Sequence, residues 1–109
     1  MPRLSIPDNL FGKRLRDARS RAGIAQDKLG VMIGMDEGSS SARISRYETG
    51  IHEPPFAIAE KLADVLRVPV AYFYCDDDQL ARLIAGYGVL NPGARKRLIA
   101  LATELGADV

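Results

Sequence analysis

A chain of 109 residues with 47% hydrophobic content suits one small domain with a short appended element. Its single cysteine, Cys75, excludes an internal disulfide and a thiolate metal site, and no apolar run approaches the roughly 20 residues that cross a bilayer. The net charge of +1 hides an asymmetry: residues 1–50 carry nine Lys/Arg against six Asp/Glu, whereas residues 51–109 carry six against eight. A basic front and an acidic back suit a protein that meets a polyanion from one side. Met1-Pro2-Arg3-Leu4 does not develop into a signal peptide, so the expectation is a soluble cytoplasmic protein.

Residues 1–8, with Pro2 and Pro7, predict a flexible arm, and Asp8 or Asn9 is placed to cap the helix that follows. Phe11, Leu15, Ala18 and Ala22 recur at helical spacing, with Lys13, Arg14, Arg16 and Arg21 expected on the outer face and Gly23 as the stop. A second helix is predicted from about Gln26 to Ile33, turning Leu29, Met32 and Ile33 inward. Gly34 and Met35-Asp36-Glu37-Gly38 then read as a polar turn.

Ser39, Ser40 or Ser41 can cap a third helix that ends at Gly50. On it Ile44 and Tyr47 share a buried face, and Arg43 and Arg46 lie beside it. The prolines of Ile51-His52-Glu53-Pro54-Pro55 predict a loop, and a fourth helix follows with Ile58, Leu62, Val65 and Leu66 inward. Pro69 opens a short helical segment through Tyr74. Asp76-Asp77-Asp78 can cap a helix over Leu80, Leu83 and Ile84 that Gly86 and Gly88 are expected to break. Asn91-Pro92 starts a last helix carrying Leu98, Ile99, Leu101, Ala102 and Leu105, with Tyr87, Leu90 and Leu98 expected to be exposed. No strand is expected, so the fold class is all-α.

The order of these parts resembles the Cro/C1-type (XRE family, lambda-repressor-like) helix-turn-helix DNA-binding domain between Phe11 and about Tyr74. The marks are Arg19-Ser20-Arg21-Ala22-Gly23-Ile24, then Gln26-Asp27-Lys28-Leu29, Gly30, Gly34, and Ile44-Ser45-Arg46-Tyr47-Glu48-Thr49-Gly50. Pro54 and Ala63-Asp64-Val65-Leu66-Arg67-Val68-Pro69 complete them. The resemblance implies a five-helix DNA-binding domain over residues 9–75, with residues 76–109 as a C-terminal helical extension. That extension would either pack on its own core or form a dimer interface.

It further implies a third helix in the major groove, presenting Ser40, Ser41, Ala42, Arg43 and Arg46 to DNA. Gln26 and Thr49 would meet phosphates, and Arg19 would pair with Glu48 to hold the third helix. Two departures stand out. Ala25 occupies the position where Ser or Thr caps the second helix. About four extra residues, in Glu37-Gly38-Ser39-Ser40, lengthen the usual turn, so either the turn is longer or the third helix begins early.

The function implied is a sequence-specific transcriptional regulator, most simply a repressor, acting on double-stranded DNA as a homodimer. The alternative is an antitoxin or interaction module of the same fold whose C-terminal helices bind a protein partner. Catalysis is not expected, because His52 stands without a nucleophile–base pair. No cofactor or metal is expected either, since Asp76-Asp77-Asp78 reads as a helix cap.

Overall fold

The computed structural model describes residues 9–108, and among them every regular element is helical. Helices α1 (Leu10–Ala22), α2 (Gln26–Met32), α3 (Glu37–Thr49) and α4 (Phe56–Leu66) precede a 3-10 helix (Val70–Tyr74). Helices α5 (Asp78–Val89) and α6 (Pro92–Glu104) follow it. The expected arm at residues 1–8 and the cap expected of Asp8 lie outside the described residues.

One residue from each of the first five elements anchors the core: Leu15, Leu29, Ile44, Leu62 and Phe73 are fully buried. Phe11 of α1 stacks at a tilt against Phe73, with ring centroids 4.7 Å apart, and so ties α1 to the 3-10 helix. Asn9 does not cap α1. It takes a left-handed backbone conformation, and its side-chain amide donates to the Glu48 carbonyl at 3.0 Å, closing the end of α3 instead.

Arg14 corrects the reading of α1. Rather than lying outside it is 4% exposed; its Nε donates to the Cys75 carbonyl at 2.9 Å, and its Nη2 lies 2.9 Å from the Asp78 carboxylate. A guanidinium enters a core only when such partners replace water. The pair joins α1 to the start of α5, and the Arg14 and Lys13 charges hold the Asp78 carboxyl below its ordinary value. Ala22, in turn, is exposed.

The second helix ends at Met32, which is exposed, and Gly34 turns the chain with a φ of 99°. That turn sends Met35 into the core, so Met35 is buried where a polar turn was expected. Gly86 and Gly88 do not break α5, which runs to Val89. A β-carbon at Gly88 would come within 2.6 Å of the Pro69 ring, so the glycine permits close packing inside a continuous helix.

Asp77 caps α5, accepting from the Gln79 and Leu80 amides, and Asn91 caps α6, accepting from Ala94. Arg95 ties the two helices: its Nε and Nη2 donate to the Tyr87 and Gly88 carbonyls at 3.1 and 3.0 Å. Its guanidinium also lies 4.8 Å from the Tyr87 ring centroid. These are C-terminal carbonyls of α5, where a cation is favoured. Tyr87, Leu90 and Leu98 are half-buried rather than exposed; the open apolar residues here are Leu80, Leu83, Val89, Ile99, Leu101 and Leu105.

Candidate nucleic-acid interface

Helices α2 and α3 meet at a joint built from small residues. A β-carbon on Gly30 would overlap the Ser40 hydroxyl, so glycine lets the two backbones close together. Ser40 is 0% exposed and its Oγ donates to the Asp27 carbonyl at 2.5 Å. Ser40 therefore faces α2 and cannot meet DNA without dismantling the joint. The cause is the helix start: α3 begins at Glu37, after Asp36, so the serine run lies within the helix and none of the three serines is its cap.

The far end of α3 is fixed by Glu48, whose side chain is fully buried. Arg19 of α1 forks onto it, Nε at 2.5 Å from Oε2 and Nη2 at 3.0 Å from Oε1. Arg19 Nη1 also donates to the Ile24 carbonyl at 3.0 Å, which fixes the link between α1 and α2. Gln26, the first residue of α2, donates its amide to Glu48 Oε1 at 3.0 Å, and Arg16 approaches the same oxygen at 3.5 Å.

One carboxylate thus holds the ends of three helices together. Burial alone would push the Glu48 carboxyl up, but hydrogen bonds from Arg19 and Gln26 and the charge of Arg19 outweigh it. They hold it below its ordinary value of 4.5. The same contacts raise the Arg19 guanidinium, chiefly through the hydrogen bond to Glu48.

With Ser40, Ile44, Tyr47 and Glu48 turned inward, the outer stripe of α3 follows from a rotation of about 100° per residue. It consists of Gly38, Ala42, Ser45, Arg46 and Thr49; Ser45 is half-buried and the others are exposed. The structure brings Ala42, Arg46 and Thr49 onto that stripe, with exposed Arg43 on its flank. Ser41 lies on the opposite flank and donates to Gln26 Oε1 at 3.3 Å. Thr49 donates its hydroxyl back to the Ser45 carbonyl at 2.9 Å. Gly38 and Ser45 went unread in the sequence, although spacing of three and four from Ala42 was the signal for both.

At α2 the N-cap position is Ala25, without a side-chain bond, and the Asp27 carboxylate accepts from the Lys28 amide instead. Gln26 uses its carbonyl and one of its two amide hydrogens within the protein, leaving one donor for a ligand at this helix start.

A short helix held by one face beside a second, with small side chains and arginine on the other, is a layout for entering a groove. A family model described as a helix-turn-helix domain matches residues 10–72. The chain belongs to the helix-turn-helix domain family. It is 31% identical over 65 residues to uncharacterised HTH-type transcriptional regulators of Sinorhizobium medicae and Rhizobium meliloti. That match covers 60% of this chain and 44% of each relative, so the chain spans less than half their length.

The solved structure of transcriptional regulator BswR superposes with a TM-score of 0.81 and 46% identity, covering 85% of this chain and 92% of that one. Each of these proteins is described as a transcriptional regulator. Among its described residues no helix is long and apolar enough to cross a membrane.

Proposed function

We propose that the chain is a Cro/C1-type (XRE family) regulator that inserts α3 into the major groove of an operator and represses by occupying it. In this reading residues 9–75 form the DNA-binding domain, residues 76–109 form a dimerising extension, and the protein works in the cytoplasm at the nucleoid. The observation that carries it is the two-sided character of α3. Its inner face is clamped by Ser40 and Glu48, and its outer stripe offers only small or polar groups and Arg46.

Arg46 reaches a guanine edge from that stripe, and Arg43 reaches either a base or a phosphate from its flank. Gly38 and Ala42 allow close approach to the groove floor. Gln26, with its free amide hydrogen at the start of α2, takes a phosphate; Ser41 and Thr49 reach phosphates by turning their hydroxyls away from Gln26 and the Ser45 carbonyl, and Ser40 serves the joint alone. Clamping α2 to α3 through Ser40, Ser41 and Gln26 fixes the phosphate anchor relative to the reading stripe, so register on DNA is set before binding.

Selection of genomic fragments by the purified chain, followed by footprinting, tests this. The expected product is one motif with two-fold symmetry, its half-sites about 34 Å apart. Recovery of unrelated fragments with equal affinity would contradict sequence-specific binding.

A further inference from the structure

Helix α6 contributes no fully buried residue, and its last turns leave Leu101 48% and Leu105 77% exposed. A helix of 13 residues is marginal in water unless an apolar face is packed, so this surface needs a cover. Its apolar residues follow a heptad seam: Ala94, Leu98, Leu101 and Leu105 are spaced four, three and four apart. Beside that seam, on one flank, stand Arg97 and Glu104, seven residues apart and both exposed. The helix is also polar end to end, with Arg95, Lys96 and Arg97 in its first half and Glu104 at its end.

We propose that α6 of one copy packs antiparallel against α6 of a second copy across a two-fold axis. Arg97 of each chain then pairs with the partner's Glu104. A two-fold interface must be complementary to itself, and this flank is. Antiparallel pairing brings the same flank of both helices together and sets each cation against an anion twice over, whereas parallel pairing sets that flank against the opposite one, where Arg97 faces Ala102 and finds no anion. Charges flanking a seam choose orientation and partner in this way. The exposed Leu80 and Leu83 of α5 offer further apolar area, which a stable interface needs beyond one helix pair. This inference deepens the dimeric reading above and is independent of how α3 reads DNA.

The test is the self-association constant of the full chain by sedimentation equilibrium. Arg97→Glu and Glu104→Arg should each weaken dimerisation about tenfold, by replacing two attractions with two repulsions. The double variant Arg97→Glu/Glu104→Arg should restore it, and so should an equimolar mixture of the two single variants, whose mixed pairs set opposite charges together at both sites. Leu101→Glu, at an exposed position, should give a folded monomer by circular dichroism and sedimentation.

A wild type that is monomeric at 100-fold the concentration used for operator binding, yet still finds its operator, would overturn the dimer itself. Single-charge variants that dimerise like wild type, or a mixture that fails to rescue, would overturn the antiparallel α6 arrangement while leaving operator recognition standing.

Discussion

Glu48→Ala removes the carboxylate that gathers α1, α2 and α3. Arg19 loses a forked partner, Gln26 an acceptor and Arg16 a neighbouring charge. Breaking a buried ion pair from one side costs about 3–5 kcal/mol, because the remaining charge is stranded. Arg19 retains 17% of its side-chain exposure and recovers some hydration, which places the loss at the lower end, about 3 kcal/mol. In a domain of this size that is a large share of a total of about 5–15 kcal/mol. It would lower the melting temperature by about 12 °C or more.

Glu48→Gln keeps the shape and part of the hydrogen bonding and should fall between the two. The pH dependence separates charge from shape. Because the folded carboxyl sits below its ordinary value of 4.5, the stabilisation is complete above that value and disappears as pH falls through the folded one. Urea unfolding followed by circular dichroism should therefore show the gap between wild type and Glu48→Gln closing in acid. A Glu48→Ala variant within about 0.5 kcal/mol of wild type at pH 7 would refute the role assigned to this residue.

The joint between α2 and α3 gives a second test. Gly30→Ala should destabilise by about 1–3 kcal/mol through overpacking against Ser40, although alanine is the better helix former by about 1 kcal/mol. Calorimetry reporting a gain would contradict the close approach. Ser40→Ala should cost about 1 kcal/mol for the lost bond to Asp27 yet leave base preference unchanged, as a selection repeated with the variant would show. Arg14→Ala should cost about 2 kcal/mol by removing the charged bond to the Cys75 carbonyl. Hydrogen exchange should then quicken in α5 more than in α2; uniform acceleration would argue against a local clasp.

Most of the fold was legible because apolar spacing and punctuation agreed. Gly23, Gly34 and Gly50 end helices, Asn91-Pro92 starts one, and Ile44 and Tyr47 face inward. Arg14 and Ser40 escape the sequence reading for one cause: residue type points them outward, whereas helical angle points them in. Arg14 lies about 40° from Ala18 on the helical wheel and Ser40 about 40° from Ile44, inside the apolar arcs in both cases. Their partners, Cys75, Asp78 and Asp27, are 13 to 64 residues distant in the chain, which local pattern does not reveal. The early start of α3 at Glu37 is one of two alternatives left open by the lengthened turn, and it sets the outer stripe of α3 at Gly38, Ala42, Ser45, Arg46 and Thr49. The family resemblance implies the Arg19–Glu48 pair, while its extension to Gln26 and Arg16 depends on how three helix ends converge in space.

The claim that α3 reads bases through Arg46 is tested most directly by titrating wild type and Arg46→Ala against the selected operator and against duplexes with single guanine substitutions, at fixed salt. Wild type should discriminate against one such substitution by about 5- to 150-fold, the range of a bidentate arginine–guanine contact. Arg46→Ala should lose that discrimination at that base pair while keeping its preferences elsewhere. An Arg46→Ala variant that weakens on all duplexes alike, with every base preference intact, would place Arg46 on the phosphate backbone and contradict the reading.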